Sequence, residues 1–91
     1  MIRINCFISV NDDNREAMIE SAKRLTKASL EQDGCIAYDL YESSTRFNVL
    51  MICETWRDEK ALEAHSASKV FHDEVKIMQS LGELKIETFK F

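Results

Sequence analysis

Apolar and polar residues alternate from Ile2 to Val10: Ile2, Ile4, Cys6, Ile8 and Val10 share one side, and Arg3, Asn5, Phe7 and Ser9 the other. A period of two is that of a strand with two different faces. Asn11-Asp-Asp-Asn14 ends this strand, and Asp13 with Glu16 reads as a capping box that opens a helix. Met18, Ala22, Leu25 and Ser29 then recur at helical spacing, with Ala28 beside them, until Gly34 stops the helix. Cys35 to about Ser43 reads as a second strand, Glu42-Ser-Ser-Thr45 as a turn, and Arg46 to Trp56 as a third strand, so that the two strands form an antiparallel hairpin. The centre of the third strand, Val49-Leu-Met-Ile-Cys53, is apolar without a break, so both of its faces need cover. Asp58 caps a helix through about Ala64, and Ser66-Ala-Ser68 breaks or bends it. A further helix carries Phe71, Val75 and Met78 on one stripe and ends at Gly82, and Leu84 to Phe91 forms a last strand.

The order is β-α-β-β-α-β, which predicts an α+β, ferredoxin-like fold on a four-stranded antiparallel sheet. Both helical segments should cover one face of that sheet. The other face then has nothing from its own chain to pack against, although Phe7 and the apolar third strand contribute to it. A wide apolar face is rare on a monomer. The expectation is a homodimer, sheet facing sheet about a twofold axis, curled toward a barrel that leaves a cavity between sheet and helices.

Size and charge narrow the function classes. The 91 residues are expected to make one domain, residues 1–91. The net charge is −4 and the twelve basic residues are scattered, so no nucleic-acid footprint is visible. No apolar run is long enough to cross a bilayer, and the alternating N-terminus lacks the continuous apolar core of a signal peptide, which makes the cytoplasm the default location. Cys6, Cys35 and Cys53 are odd in number and widely spaced, and read as free thiols of a reducing compartment.

The residues with chemical potential cluster in Glu54–Ser68. Trp56, the only tryptophan, is either a core anchor or a pocket wall that stacks on a flat substrate. His65 lies three residues after Leu62, on the same helix face, and points inward if Leu62 does. An inward histidine is either a satisfied core residue or a base, and an apolar wall would keep it neutral. Glu54 falls on the strand face of Trp56, where it can orient a histidine or an arginine. Asp58 serves better as a cap than as half of a glycosidase pair. On one unbroken helix His65 and His72 would stand about 10 Å apart along the axis, too far to share a metal. Asn5, polar in the middle of the first strand, bonds either to a neighbour or to a ligand oxygen. Tyr38 and Tyr41 lie on opposite faces of their strand, so one at most lines a given cavity.

Two stretches resemble a known family. Glu31-Gln-Asp-Gly34-Cys-Ile-Ala-Tyr38-Asp-Leu40 resembles the helix end and second strand of the small antibiotic-biosynthesis-type monooxygenases, and Glu54-Thr-Trp56-Arg-Asp58-Glu-Lys-Ala61-Leu62-Glu-Ala-His65-Ser-Ala-Ser68 resembles their central motif. Val70 stands where such proteins often carry a histidine ahead of a phenylalanine, here Phe71. The resemblance implies a dimeric α+β barrel that oxidises quinols or phenolic aromatics with dioxygen and needs no cofactor and no metal. It assigns catalysis to His65 as base, Asn5 as holder of a phenolic oxygen and Trp56 as support of the ring plane, with Phe7, Tyr38 and Phe71 lining the substrate cavity. Relatives on the same scaffold imply three alternatives: isomerisation of a small phosphorylated sugar, for which Arg3, Arg46 and Arg57 are the candidate anion partners; haem degradation, which echoes Asn5, Trp56 and His65; or a non-catalytic ligand-binding dimer.

Overall fold

The computed structural model describes all 91 residues. The elements run β1 (Ile2–Val10), α1 (Asp12–Leu30), β2 (Cys35–Glu42), β3 (Val49–Trp56), α2 (Glu59–Ser66), α3 (Lys69–Leu81) and β4 (Gly82–Lys90). The four strands form one antiparallel sheet in the order β2-β3-β1-β4, the ferredoxin-like arrangement expected from the periodicity. The helices cover the face of Ile2, Cys6, Ile8 and Val10, and Met18, Ala22 and Leu25 of α1 and Met78 of α3 complete the core. No helix is long and apolar enough to cross a membrane.

Several boundaries differ from the sequence expectation, each for a local reason. Asn11, not Asp13, caps α1: its side chain accepts from the Asn14 amide at 2.9 Å. Residues 46–48 are not strand. The Asn48 amide donates to the Val10 carbonyl at 2.7 Å and to Asp12 at 2.8 Å, which holds the turn against the start of α1. The Ser66–Ser68 break is real: Ser68 caps α3 by accepting from the Phe71 amide and donates its hydroxyl to the His65 carbonyl at 2.6 Å. Gly34 has φ +82°, and a Cβ there would run into Ala61, so this turn needs glycine both for its backbone and for the approach of α2. At Gly82 the chain passes from α3 into β4 without a loop, against the Ser9 carbonyl.

One buried polar knot ties α1 to α3. Glu74 is 9% exposed, accepts the Ser21 hydroxyl at 2.8 Å and takes a two-point contact from Arg24 at 3.0 Å. Its carboxyl is held below the usual range by Arg24.

The opposite sheet face is uncovered. It carries Phe7 (39% exposed), Tyr41 and Phe89 (each 50% exposed), with Met51 between the first two and Arg3, Asp39, Lys85 and Glu87 around them.

Candidate active site

The alternation of β3 turns Leu50, Ile52, Glu54 and Trp56 toward the helices, and the register sets Tyr38 of β2 directly across from Glu54. His65 occupies the last turn of the Asp58-capped helix α2. Its imidazole, 2% exposed, lies over the Trp56 indole with centroids 4.4 Å apart and an interplanar angle of 33°. Phe71 meets the same ring edge-on at 5.1 Å, and Tyr38 at 5.8 Å.

Hydrogen bonding fixes the tautomer. Gln32, in the turn after α1, presents its carbonyl oxygen 2.6 Å from His65 Nδ1, so Nδ1 donates and Nε2 is left with a free lone pair. Nε2 is buried and has no hydrogen-bond partner. It faces Glu54 Oε1 at 3.8 Å, and that oxygen already accepts the Trp56 indole N–H at 2.8 Å. Burial lowers the His65 pKa to about 4, so at neutral pH the imidazole is uncharged and this approach is not an ion pair. Burial raises Glu54 above the usual carboxylate range, and hydrogen bonds from Trp56 and Tyr38 pull it back. The Tyr38 phenol is raised by burial and then by the charge of Glu54. The Cys6 thiol is pushed up to about 11 by burial, with Glu54 adding to the shift, which leaves it protonated and a poor nucleophile.

These groups reach a chamber of about 180 Å³ between the sheet and the helices. Its walls are mostly apolar, among them Ile52, Leu62, Phe71 and Met78, and Ile86 at its rim is 61% exposed. Tyr38, Glu54, His65, Ser66 and Gln79 are its polar lining. A larger, open groove of about 830 Å³ runs between α1 and β2, but its lining is mostly charged surface and its Arg15 is already engaged with Glu42 and the Phe47 ring. The smaller, less open chamber is where a buried unpaired group meets an apolar wall.

Of the expected site residues, His65, Tyr38 and Phe71 converge on this chamber. Trp56 does not line it. The indole is fully buried behind the imidazole, so it supports His65 and Glu54 instead of touching what the chamber holds. Asn5 and Phe7 are not brought to this chamber. Both are odd-numbered residues of β1 and stand on the uncovered face, Asn5 opposite Cys53 and Glu87. Glu54 was legible only as an orienting group, although its two-residue spacing from Trp56 already placed it on the inward face. Gln32 had no periodic or motif signal, because a turn residue's direction depends on tertiary packing.

The buried imidazole makes stability depend on acid. Above pH 6.5 His65 is neutral in the folded and unfolded chain alike; below it the unfolded chain binds a proton that the fold refuses until about pH 4. Stability therefore falls as pH drops through that window, by up to roughly 3 kcal/mol at about 1.4 kcal/mol per unit. Glu54, raised, opposes the slope near its own titration. His65→Gln should flatten the difference between thermal midpoints at about pH 7 and about pH 4.5. An undiminished difference would show that another group sets the acid limit.

Known proteins share the fold that carries these residues. The family model described as "Antibiotic biosynthesis monooxygenase" matches residues 1–76. A solved structure of a conserved protein of unknown function from Bacteroides thetaiotaomicron, described as a possible oxidoreductase, is 53% identical, with a TM-score of 0.98 over 99% of this chain and 96% of that one. An uncharacterized protein from Synechocystis is 31% identical over 83 residues, 87% of this chain, and the match spans only 56% of that relative's own length. The Bacillus subtilis protein YcnE, described as a candidate monooxygenase, is 31% identical over 71 residues, 78% of this chain and 75% of that protein.

Proposed function

Because the chain belongs to the antibiotic biosynthesis monooxygenase family, we propose that it oxidises a quinol or other phenolic ring with dioxygen, without a cofactor, as a homodimer. The observation that carries this reading is the free, buried Nε2 of His65 at an apolar chamber, with its tautomer held by Gln32.

The substrate enters with a hydroxyl toward Nε2. His65 takes that proton, and the resulting phenolate and imidazolium stabilise each other where water is excluded. The phenolate passes one electron to dioxygen, giving a ring radical and superoxide that combine into a C–O–O bond. The imidazolium returns its proton to the distal peroxide oxygen. The hydrogen on the carbon that bears the peroxide leaves as a proton, its electron pair becomes the new C=O bond, the O–O bond breaks, and the distal oxygen departs as hydroxide that takes up the released proton as water. One oxygen atom stays on the product, and the substrate supplies all four electrons that dioxygen accepts. In this scheme Trp56 and Gln32 hold the imidazole, and Tyr38 and Phe71 confine the ring.

Two alternatives fit less well. No Arg or Lys lines the chamber, so a phosphorylated sugar would find no cation there; Arg57 is committed to Asp33 and Asp58. A haem exceeds about 180 Å³, since even drug-sized ligands occupy roughly 300 to 1,000 Å³.

The test is oxygen uptake with a panel of quinols and phenols after chelation of metals. Consumption of dioxygen with one atom of labelled oxygen recovered in the product supports the proposal. Absence of uptake across the panel overturns it.

The dimer is proposed through the uncovered sheet face, whose apolar centre of Phe7 and Met51 is ringed by charges of both signs. Phe7→Glu puts a carboxylate in that centre without touching the chamber, and should halve the mass seen by light scattering at micromolar concentration while helix content stays unchanged. A dimer that survives the substitution would place the interface elsewhere.

A further inference from the structure

The acceptor pair in the chamber narrows the substrate, on the premise that the oxygenase reading is right. His65 Nε2 and Glu54 Oε1 stand 3.8 Å apart, both buried, and no group of the protein donates to Nε2. Glu54 Oε1 takes the Trp56 N–H at 2.8 Å, but a carboxylate has further acceptor sites on each oxygen. A buried acceptor without a donor is costly, so the ligand that fits best brings a donor for Nε2; a second donor beside it can use an acceptor site that Trp56 and Tyr38 leave open on Glu54.

A single hydroxyl has one hydrogen and can serve only one of the two. Hydroxyls at opposite ends of a ring are separated by the ring itself, so they cannot both meet acceptors 3.8 Å apart. Hydroxyls on adjacent ring carbons diverge slightly from neighbouring origins, so each reaches its own acceptor across the 3.8 Å spacing. Size agrees with one ring: an apolar cavity of roughly 150 Å³ holds benzene, and this chamber has about 180 Å³. We infer that the substrate is a single-ring 1,2-diphenol, bound with one hydroxyl donating to His65 Nε2 and its neighbour to the Glu54 carboxylate.

The reaction then balances as diphenol plus dioxygen to hydroxy-ortho-quinone plus water. Both hydroxyl protons and one ring hydrogen leave; one hydrogen returns in the new hydroxyl and two leave in water. Four electrons pass from the ring to dioxygen. His65 accepts the first hydroxyl proton and Glu54 the second, and both are handed to reduced oxygen.

Binding and turnover separate this inference from the reading it rests on. Calorimetric titration without oxygen, on the unaltered protein, should rank catechol at least about tenfold tighter than hydroquinone, phenol or 2-methoxyphenol, the worth of one hydrogen bond to a charged acceptor. The methoxy compound keeps the shape and loses only the second donor. Glu54→Gln, whose amide can donate to Nε2, should bring catechol down to the level of phenol. Equal affinities across the four ligands, or faster oxygen uptake with hydroquinone than with catechol, overturn the diphenol inference and leave the oxygenase reading standing. Tight, selective catechol binding with no oxygen uptake supports the diphenol site and overturns the oxygenase reading.

Discussion

His65→Ala is expected to lower oxygen consumption by roughly 10² to 10⁴-fold, the usual contribution of a positioned general base. The loss should fall on turnover more than on substrate affinity, since Glu54 and the apolar walls remain. The pH profile carries the sharper reading. His65 is a base only when neutral, and its pKa is lowered to about 4, so the wild-type rate should hold steady on acidification until pH approaches that value, not decline near 6.5. A base this weak still takes a phenolic proton because its product is an ion pair in a dry chamber, where opposite charges attract far more than in water. Gln32→Glu provides the internal control. A carboxylate 2.6 Å from Nδ1 would favour the imidazolium and raise the His65 pKa, so the acid limb should move upward while the fold is kept. If His65 were only a packing residue, Gln32→Glu would leave the profile where it was. An alanine variant with wild-type turnover would remove the base from the mechanism.

Most of the fold could be read from the chain because its signals are local. The alternation of β1, the helical stripe of Met18, Ala22 and Leu25, the Ser66–Ser68 break and the two glycines each act within a few residues, and they agree with one another. The start of β3 was less legible, because Asn48 is held by a side-chain bond to Val10, thirty-eight positions away. The site was only partly legible for the same reason. Helix spacing put His65 on the face of Leu62, and parity separated Tyr38 from Tyr41 without saying which of them faced the cavity. The resemblance grouped Asn5 with His65 and Trp56, whereas Asn5 stands on the uncovered face of the sheet. The pairing of His65 with Gln32, and the opposition of Nε2 to Glu54, arise where three elements meet, and no pattern along one strand or helix announces them.

The largest stability loss is expected at Trp56. Truncating a buried aromatic to alanine costs about 3–5 kcal/mol, and Trp56 has no exposure at all. Its indole underlies His65, meets Tyr38 edge-on at 6.4 Å, and satisfies the Glu54 carboxylate. Alanine therefore leaves both a cavity and a buried acceptor short of its donor, a further cost of about 1–3 kcal/mol. Domains of this size hold about 5–15 kcal/mol in total, so Trp56→Ala should sit at or past the edge of folding, with a urea midpoint near zero. Trp56→Phe divides the two causes. It keeps one aromatic ring and deletes the pyrrole half with its N–H, so part of the packing returns while Glu54, freed of a bond that lowers its pKa, becomes harder to ionise. The phenylalanine variant should fold well above the alanine one. If both variants instead unfold at the wild-type midpoint, the indole is not what holds the imidazole and the carboxylate at their 3.8 Å separation.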